Sequence, residues 1–417
     1  MKRAIQVIFV IFQTTNRANG GVESITQIIE HCQQIEPQIV TQIETPVNQR
    51  WQAAGAPVQV WNIPYRIGSG FWQSPWQARG HRLYSLWQTN LQMYALVRQT
   101  GCCVVHCNDP SAFWHTALGA KLAGAKLVFN IRDTKAPNES YGWKWQLAMR
   151  ISDRLVVLSQ EMKQISARSL PHLQHQPSKI QPIYSIVEPQ QLHPVAPEQR
   201  QQLRARLGIA PHTFAVGYIA AFNPKKAQLP LIERAGVPLQ QAIPNLQLYM
   251  IGDFEPDTNP YAQQCLAAAN DLGLQSTLTF IGYTSTVADW YRALDLAIVA
   301  SRQEGLARCM IESLACGTPV ISFDVCSAQE ILTHYQCGRV VVQGDYLSLT
   351  QAVTELASKP SLWRSLHQNA TSVAAKLFQP EPIIHQYEKL YRTLATPISP
   401  ESQISSPPLP QSQRVGP

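Results

Sequence analysis

Short apolar runs alternate with helix-periodic segments along most of the chain, a pattern typical of βαβ units and parallel sheets. In the first half, the apolar runs predict strands at residues 5–12, 58–63, 103–107, 127–131, 155–158 and 180–184. Helical patterns lie between them, for instance at residues 22–32 and 112–123. The first half of the chain therefore predicts one α/β unit with a parallel sheet.

A second series of the same kind follows a segment rich in Pro and Gln. It predicts strands at residues 214–219, 246–251, 278–281, 296–299, 320–323 and 339–342. Two consecutive series predict an α/β fold with two Rossmann-like, doubly wound domains that face a central cleft. Ligands of such sheets bind at the carboxyl ends of the strands, so the cleft is the expected site.

The domain boundaries are expected where the composition changes. We expect a first domain at residues 1–187, a linker at 188–197 and a second domain at 198–375. A helix at residues 376–395 is expected to pack back on the first domain. The Pro/Ser/Gln-rich tail at residues 396–417 is expected to be disordered.

The composition fits two folded domains and limits the classes of ligand. Among the 417 residues, 45% are hydrophobic and 15% charged, and 34 Lys and Arg face 27 Asp and Glu. The formal charge of +7 favours phosphate-bearing ligands or an anionic membrane surface. Because the basic residues form no long stripe and no nucleic-acid-binding motif is present, we expect no nucleic-acid partner.

No segment predicts a membrane span. The first apolar run, residues 5–12, is shorter than the roughly 20 residues that a bilayer requires, and no signal-peptide cleavage site follows it. The nine cysteines form no CxxC pair, so free and mostly buried thiols in a reducing cytoplasm are favoured over zinc. We expect a cytoplasmic protein, with peripheral contact at the cytoplasmic face of the membrane as a further option.

The most informative segment, residues 301–321, joins a strand to a helix and then to another strand. A strand ends near Ala300, a loop carries Glu304 and Gly305, and a helix follows. The apolar stripe predicted for that helix consists of Leu306, Met310, Ile311 and Leu314. Gly317 then supplies a left-handed cap, and Pro319 opens the next strand.

Two carboxylates of this segment, Glu304 and Glu312, are separated by seven residues. A strand–loop–helix unit directs backbone N–H groups and the positive end of the helix toward the cleft, where a phosphate can bind. A carboxylate there can accept two hydrogen bonds from the vicinal hydroxyls of a sugar or a ribose. The alternative is that Glu304 is favoured at a helix start and Glu312 is simply solvated.

The segment resembles the E-x7-E signature of the retaining glycosyltransferases of family 4, which have the two-domain GT-B architecture. The family pattern is matched at Ser301, Glu304, Gly305, Glu312, Ala315, Gly317, Pro319, Val320 and Ile321. The resemblance implies that Glu304 contacts the donor sugar and that Glu312 holds the nucleotide ribose. It also implies that the rest of the loop binds the donor; these residues are Gly305, Leu306, Ala307 and Arg308.

Two further segments resemble phosphate-binding parts of the family. Gly20 and Gly21 follow the first strand, where bare glycines let backbone amides approach a ligand; an ordinary turn is the alternative. Lys225 and Lys226 stand at the family position of a basic pair that neutralises the donor diphosphate. Lys226 aligns with the family lysine and Lys225 is a substitute cation, with a solvated surface lysine as the alternative.

Some positions depart from the family pattern. Ala221 stands where the family has an arginine, and we hypothesise that Arg308 supplies the lost charge; a surface helix residue is the alternative. Arg132 stands where the family often has a histidine near the transferred sugar. It can bind an acidic or phosphorylated acceptor, or it can pair with Asp133 or another neighbour.

Other family positions are met only in part. Gly252 is present without the usual second glycine, and residues 326–327 replace paired glycines, whereas Glu330 matches the family acid. We include Gly252 and Glu330 among the substrate-binding residues. His106 and Asp109 are interpreted as structural rather than catalytic.

The resemblance implies a retaining, metal-independent transfer with Glu304, Lys226 and Arg132 as catalytic residues. No DxD pair is present to hold a metal–diphosphate complex, so we expect neither a metal nor a cofactor. The co-substrate is expected to be a UDP- or GDP-linked sugar, and the acceptor a glycan, a glycolipid or a small molecule.

Two other classes of protein are alternatives. A catalytically silent protein that binds sugar nucleotides or glycans on the same fold is the chief one. A nucleotide-sugar epimerase or a dinucleotide-dependent oxidoreductase is disfavoured because no G-x-G-x-x-G follows a strand. Trp72, Trp76 and Trp87 suit either a membrane-associated acceptor of polysaccharide biosynthesis or ordinary packing.

Overall fold

The computed structural model describes residues 4–13, 19–63, 76–134, 141–170, 173 and 176–395, without the side chains of residues 76–79, 169 and 177. Within these ranges the chain forms two α/β domains, each on a parallel sheet, which confirms the predicted fold class. The predicted tail at 396–417, Trp72 and the side chain of Trp76 lie outside the described residues.

The first domain contains a seven-stranded sheet in the order β3-β2-β1-β4-β5-β6-β7. Its strands are β1 (Ile5–Val10), β2 (Ile35–Thr41), β3 (Val58–Val60), β4 (Val104–Cys107), β5 (Lys126–Ile131), β6 (Arg154–Val157) and β7 (Ile180–Pro182). Its described helices are α1 (Gly20–His31), α2 (Pro46–Ala53), α3 (Trp76–Thr100), α4 (Pro110–Leu122), α5 (Trp143–Ile151) and α6 (Gln160–Ser169).

The second domain repeats this arrangement in a six-stranded sheet, in the order β10-β9-β8-β11-β12-β13. Its strands are β8 (Phe214–Ile219), β9 (Leu246–Ile251), β10 (Leu278–Gly282), β11 (Leu296–Val299), β12 (Val320–Phe323) and β13 (Gly338–Val341). Its helices are α7 (Pro197–Arg206), α8 (Gln228–Ala242), α9 (Pro260–Asp271), α10 (Val287–Ala293), α11 (Arg308–Ala315), α12 (Tyr346–Ser358) and α13 (Pro360–Leu377).

The central strands are apolar along their whole length because helices cover both faces of each parallel sheet. Every residue of β4, β11 and β12 is buried. One apolar cluster joins α3, α4 and α5 of the first domain to Met310, Ile311 and Leu314 of α11. The two domains therefore share part of their core next to the cleft.

The last described helix, α14 (Pro380–Ala395), returns to the first domain. Tyr387 and Tyr391 are buried on the face of the first sheet that α1 also covers. Glu388 accepts hydrogen bonds from the backbone N–H groups of Gln33 and Gln34, both at 3.0 Å. Sequence reasoning placed the start of this helix at residue 376, whereas the preceding helix, α13, continues to Leu377.

The sequence predicted every strand except β2, and it placed the ends of β1, β3 and β7 two or three residues too late. The apolar run of β2 is interrupted by Glu36, Pro37 and Gln38. Strand β3 pairs only with residues 39–41, so β2 has one neighbour around Pro37. A strand tolerates a missing N–H group at such an edge.

All nine cysteines are free thiols, and most are buried. Within the ranges given above, no helix combines the length and the apolar character needed to cross a membrane.

Candidate active site in the interdomain cleft

The two sheets reverse their strand order between β1 and β4 and between β8 and β11. Loops at the carboxyl ends of parallel strands diverge at such a reversal and leave a crevice for ligands. Here the two crevices face each other. The start of α1 and the loops that follow β5, β8 and β11 are in contact across the cleft. The cleft is therefore where the predicted site residues meet.

The loop after β11 carries Glu304 into the cleft, as predicted. Glu304 is only 8% exposed, and its Oε1 lies 2.5 Å from Nζ of Lys226. Its carbonyl oxygen accepts a hydrogen bond from Thr134 of the first domain at 2.9 Å. Glu304 is thus a buried carboxylate paired with a cation, so the alternative of a simple helix-start residue is wrong.

Gly305 has a steric reason for being glycine. A Cβ at this position would lie 2.0 Å from the carbonyl oxygen of Arg132, in the other domain. The next residues, Leu306 and Ala307, are buried in the core that both domains share. The helix begins only at Arg308, so Leu306 lies in the loop and not on the predicted helical stripe.

The turn after β8 presents both lysines to the cleft. Oδ1 of Asn223 accepts hydrogen bonds from the backbone N–H groups of Lys225 (3.1 Å) and Lys226 (3.3 Å), which fixes the turn. Burial lowers the pKa of the Lys226 ammonium, but the charge and hydrogen bond of Glu304 outweigh it and leave that pKa above its ordinary value. Lys226 therefore stays charged, as neutralisation of a phosphate requires.

Lys225 forms a second ion pair, which crosses the cleft. Its Nζ lies 2.6 Å from Oδ1 of Asp133, and both side chains are partly exposed. Asp133 is therefore the partner of Lys225 and not of Arg132, which corrects the pairing considered for Arg132 from the sequence.

Glu312 lies one turn into α11 and is held from two sides. Its Oε2 accepts a hydrogen bond from the hydroxyl of Tyr291 at 2.9 Å, and its Oε1 lies 2.7 Å from the Arg308 guanidinium. Sequence reasoning did not single out Tyr291, since a tyrosine in a short helix outside the signature gives no signal. Glu312 is therefore not a simply solvated residue.

Arg308 reaches across the cleft to α1. Its guanidinium donates to Oγ of Ser24 (3.0 Å) and to Oε1 of Gln27 (3.3 Å). A Cβ at Gly20 would lie 3.0 Å from Cδ of Arg308, so this glycine makes room for the arginine stem. The interpretation of Arg308 as a surface helix residue is wrong, and its proximity to the start of α1 keeps the charge-replacement hypothesis open.

Arg132 lies at the carboxyl end of β5 beside Gly21, whose Cβ would come 3.4 Å from Cδ of the arginine. Its Nε donates to Oδ1 of Asn108 at 3.0 Å, and Asn108 also accepts from Nδ2 of Asn130 at 3.2 Å. Burial lowers the pKa of the Arg132 guanidinium to about 10, and the positive charge of Arg308 adds to the effect. No ion pair among the described residues includes Arg132.

Two predicted substrate-binding residues have structural contacts instead. A Cβ at Gly252 would lie 2.1 Å from the carbonyl oxygen of Ala220, so this glycine permits close packing of two strand ends. Glu330 accepts hydrogen bonds from the backbone N–H groups of Gln160 (3.1 Å) and Glu161 (2.8 Å), and from the Tyr184 hydroxyl. Glu330 thus caps α6 of the first domain and is not brought together with Lys226 and Glu304.

Ser327 replaces a family glycine and keeps the glycine conformation, with φ of 73°. Its hydroxyl contacts Ser159 of the first domain and donates to the carbonyl oxygen of Gly305, both at 2.8 Å. Ser327 therefore supports the signature loop. The sequence could not indicate this role, because the family residue at this position is a glycine and has no side chain.

His106 and Asp109 are structural in their contacts, as interpreted from the sequence. Asp109 caps α4 by accepting from the backbone N–H of Ala112 at 2.9 Å. His106 is fully buried, with Nδ1 2.7 Å from the Tyr391 hydroxyl. Burial lowers the pKa of His106 to about 3, against a contact with Asn130 that favours protonation, and Arg132 lowers it further.

A cavity of about 480 Å³ lies at the opposite edge of the first sheet, lined by Arg98, Cys103, Gly124 and Leu394 among others. It is remote from the carboxyl ends of the strands, so we assign it no part in the chemistry of the cleft.

Two family models match the chain. The model described as glycosyl transferases group 1 matches residues 199–373, and the model described as Glycosyltransferase Family 4 matches residues 29–191. The first match contains Lys225, Lys226, Glu304 and Glu312, and the second contains Arg132. The paired carboxylates and lysines thus lie in one model and the arginine in the other.

Relatives and solved structures agree with this assignment. EpsD of Bacillus subtilis (strain 168), described as a glycosyltransferase, is 27% identical over 284 residues, 66% of this chain and 72% of the relative. The N-acetyl-α-D-glucosaminyl L-malate synthase of Bacillus anthracis is 23% identical over 190 residues, 46% of this chain and 48% of the relative. Anabaena HepE, solved with UDP and glucose, matches with a TM-score of 0.74 and 19% identity over 93% of this chain and 100% of that chain. At this identity the structural likeness establishes the fold.

Proposed function

Because this chain belongs to glycosyltransferase family 4 and has the GT-B fold, we propose that it transfers a sugar from a nucleoside-diphosphate donor, with retention of configuration and without a divalent metal. The observation that carries the proposal is the buried Lys226–Glu304 pair at 2.5 Å, with Glu312 one helical turn further. One cation and two carboxylates then face a diphosphate, a sugar and a ribose.

The cations of the cleft suit the charge that develops during transfer. The nucleoside diphosphate gains negative charge as the glycosidic bond breaks, and preorganised positive groups stabilise that charge. Lys226, Lys225 and Arg308 surround the carboxyl ends of β8 and β11 and the start of α1. Three fixed cations can provide what a divalent metal provides in other enzymes, which supports metal independence.

Retention is consistent with the groups that line the cleft. In front-face attack, the acceptor hydroxyl enters on the side from which the diphosphate leaves, and the leaving phosphate oxygen takes the proton. Such a reaction needs positioning and charge stabilisation rather than a strong protein base. The buried histidine, His106, is bonded to Tyr391 and has its pKa lowered to about 3, so it is unsuited to act as that base.

Donor entry requires the cleft to open. Three contacts bridge the two domains across the cleft: Lys225–Asp133, Thr134–Glu304 and Arg308–Ser24. A diphosphate that binds Lys226 also has to share that lysine with Glu304. Closure over a bound donor would exclude water and limit hydrolysis.

The acceptor side is marked by Arg132. A half-buried guanidinium with no carboxylate partner among the described residues favours an anionic ligand group, such as a phosphate or a carboxylate. The Bacillus anthracis relative carries a dicarboxylate, L-malate, in its name. We therefore favour an acidic or phosphorylated acceptor, which includes glycans, glycolipids and small molecules that carry such a group.

The test is a thermal-shift titration with UDP, GDP, ADP and CMP and their sugar conjugates, followed by NMR of the product anomer in the presence of EDTA. Ligand binding to the native state raises the melting temperature by mass action. We expect one nucleotide to stabilise the wild type and the Glu355→Ala control, but not Glu312→Ala. Glu355 is a partly exposed carboxylate of the same domain with only surface ion pairs.

A second candidate is a silent sugar-nucleotide-binding protein, which Ala221 in place of the family arginine favours. Binding of a sugar nucleotide without release of nucleoside diphosphate, for every acceptor class named above, would establish it. An inverted product, or activity that EDTA abolishes, would contradict the primary proposal.

A further inference from the structure

The large apolar side chains exposed on the first domain are concentrated on three neighbouring helices. They lie on α3, α4 and α5, and each is between 38% and 70% exposed. We call this set the apolar platform; it consists of Leu83, Tyr84, Trp87, Leu91, Tyr94, Leu118, Leu122, Trp143, Leu147 and Ile151. A water-soluble surface rarely exposes so many large apolar groups in one place.

The spacing shows that each helix has a second, outward-facing apolar stripe. Exposed residues recur at positions 83, 87 and 91 of α3, at 118 and 122 of α4, and at 143, 147 and 151 of α5. Residues four apart share a helix face. The inward faces are apolar as well, since Met93, Phe113 and Met149 are buried in the core.

The helices are packed firmly, so the stripes lie side by side on a rigid surface. A Cβ at Gly119 of α4 would lie 1.9 Å from the carbonyl oxygen of Asn90 in α3, which shows how closely the two backbones approach. Asn90 Oδ1 accepts from the Gly119 N–H at 2.9 Å, and Thr89 Oγ1 lies 3.0 Å from Nδ1 of His115. The platform is therefore a fixed feature of the fold.

The charge of these helices is one-sided. The sequences of α3, α4 and α5 contain no Asp or Glu, but they contain Arg79, Arg82, Arg98, Lys121, Lys144 and Arg150. Of these, Lys121 is paired with Asp153, which follows α5, at 2.5 Å. Lys144 lies over the ring of Trp143, with its Nζ 5.7 Å from the ring centroid. Helices of the second domain mix both signs, as in α10, where Asp289 pairs with Arg292 at 3.2 Å.

We propose that the apolar platform is a peripheral binding surface for an anionic lipid membrane. Its apolar side chains enter the interface between headgroups and acyl chains, and its basic residues contact the anionic headgroups. A second copy of this chain would bring its own basic residues to the same face, so like charges disfavour a dimer there.

The position of the platform fits the reaction. Helix α5 follows β5 and α4 follows β4, so their first turns lie at the carboxyl edge of the first sheet, beside the cleft. A membrane bound to the platform would hold the acceptor side of the cleft next to the lipid headgroups. This last step rests on the proposed function, whereas binding to the membrane does not.

The experiment is flotation of the full chain with vesicles of phosphatidylcholine alone or mixed with phosphatidylglycerol. One variant replaces an exposed residue on each helix: Trp87→Glu, Leu118→Glu and Trp143→Glu together. The matched control makes the same change at Tyr283, Val342 and Leu347, which are 60%, 71% and 69% exposed on the second domain. We expect the wild type and the control to bind mixed vesicles, and the platform variant to bind at least about tenfold more weakly.

Salt should weaken the binding, and neutral vesicles should bind at least about tenfold less protein. No binding of the wild type, equal binding of the platform variant, or equal binding to neutral vesicles would each overturn the proposal. So would a wild-type oligomer that the platform variant dissociates without any vesicle binding. The nucleotide thermal shift is measured on the same proteins, so failure of the platform is distinguished from failure of the proposed donor site.

Discussion

The first six strands have the same order in the two domains, yet the domains differ in the residues of their loops and helices. The second domain matches the family pattern at Glu304, Gly305 and Glu312, and its helices mix acidic and basic residues. The first domain has Arg132 where the family often has histidine, and three of its helices are apolar and basic on their outer faces.

The difference follows from what each domain has to recognise. In the proposed function, a nucleoside diphosphate always presents a diphosphate and a ribose, which one lysine and two carboxylates at fixed positions would serve. Acceptors share no such group, and the first domain is free to change its polar groups and its surface. The comparison predicts that second-domain changes alter the chemical step, while first-domain changes alter acceptor binding, location or stability.

The largest effect is expected at Lys226. Lys226→Ala removes the buried cation that pairs with Glu304, and kcat should fall by about a hundredfold or more, as for a lost group that stabilises transition-state charge. Lys225→Ala is the matched control because Lys225 is more exposed and pairs with Asp133. Its loss should cost less than about tenfold. Activity is measured as release of nucleoside diphosphate. If Lys225→Ala loses more activity than Lys226→Ala, then Lys225 and not Lys226 is the main cation that stabilises the leaving diphosphate.

The first domain carries the larger dependence of stability on pH. The folded-state pKa of His106, about 3, lies below the ordinary value, so the neutral form stabilises the fold above pH ~6.5 and that stability is lost as the pH falls toward 3. Between pH 7 and pH 5 this one group should remove about 2 kcal/mol from the free energy of unfolding.

The measurement is urea unfolding at both pH values. In His106→Gln the loss between pH 7 and pH 5 should shrink by about that amount, whereas the exposed His212→Gln should keep the wild-type loss. Because the two pH values are compared within each variant, a lower baseline stability does not affect the result. An unchanged pH difference in His106→Gln would show that the pKa of His106 is not lowered in the folded protein.

Arg308 lies on the signature helix of the second domain but contacts α1 of the first. Its substitution therefore tests whether the roles of the two domains can be separated. If it supplies the charge missing at Ala221, Arg308→Ala should weaken nucleoside diphosphate binding about tenfold, or ~1.4 kcal/mol, and nucleoside binding less. Arg302→Ala is the control, an exposed arginine of the same loop. Isothermal titration that finds unchanged diphosphate affinity in Arg308→Ala would remove the hypothesis.

The fold could be predicted from the sequence because parallel strands covered on both faces are continuous apolar runs. Strand β2 was missed since Glu36, Pro37 and Gln38 interrupt its run, and its tolerance of proline depends on where β3 pairs. The positions of Glu304, Glu312 and Lys226 in one cleft could be anticipated from the signature. The partners of Glu312, Arg308 and Lys225 could not be anticipated. Tyr291, Ser24 and Asp133 lie outside the signature and are brought to these residues only by tertiary packing.

At Glu330 the family pattern is matched, but the match did not indicate the contacts that the residue makes. The residue matches the family acid, yet its carboxylate caps α6 across the domain boundary. A match of residue type identifies a position, while the hydrogen bonds made there depend on neighbours that a motif does not contain. The same holds for the glycines missing at residues 326–327, since the chain kept the glycine backbone conformation at Ser327 with another residue.

The smallest predicted effect concerns two residues with left-handed backbone conformations, Ala227 and Ser327, which have φ of 57° and 73°. Ala227 makes no side-chain hydrogen bond, so Ala227→Gly should relieve the left-handed strain and stabilise the fold by about 0.5–1 kcal/mol. Ser327→Gly relieves the same strain but removes two 2.8 Å contacts of the hydroxyl, with Ser159 and Gly305, each worth ~1 kcal/mol. Thermal unfolding should therefore move in opposite directions in the two variants. A gain in both would mean that the Ser327 hydroxyl contributes nothing to the contact between the domains.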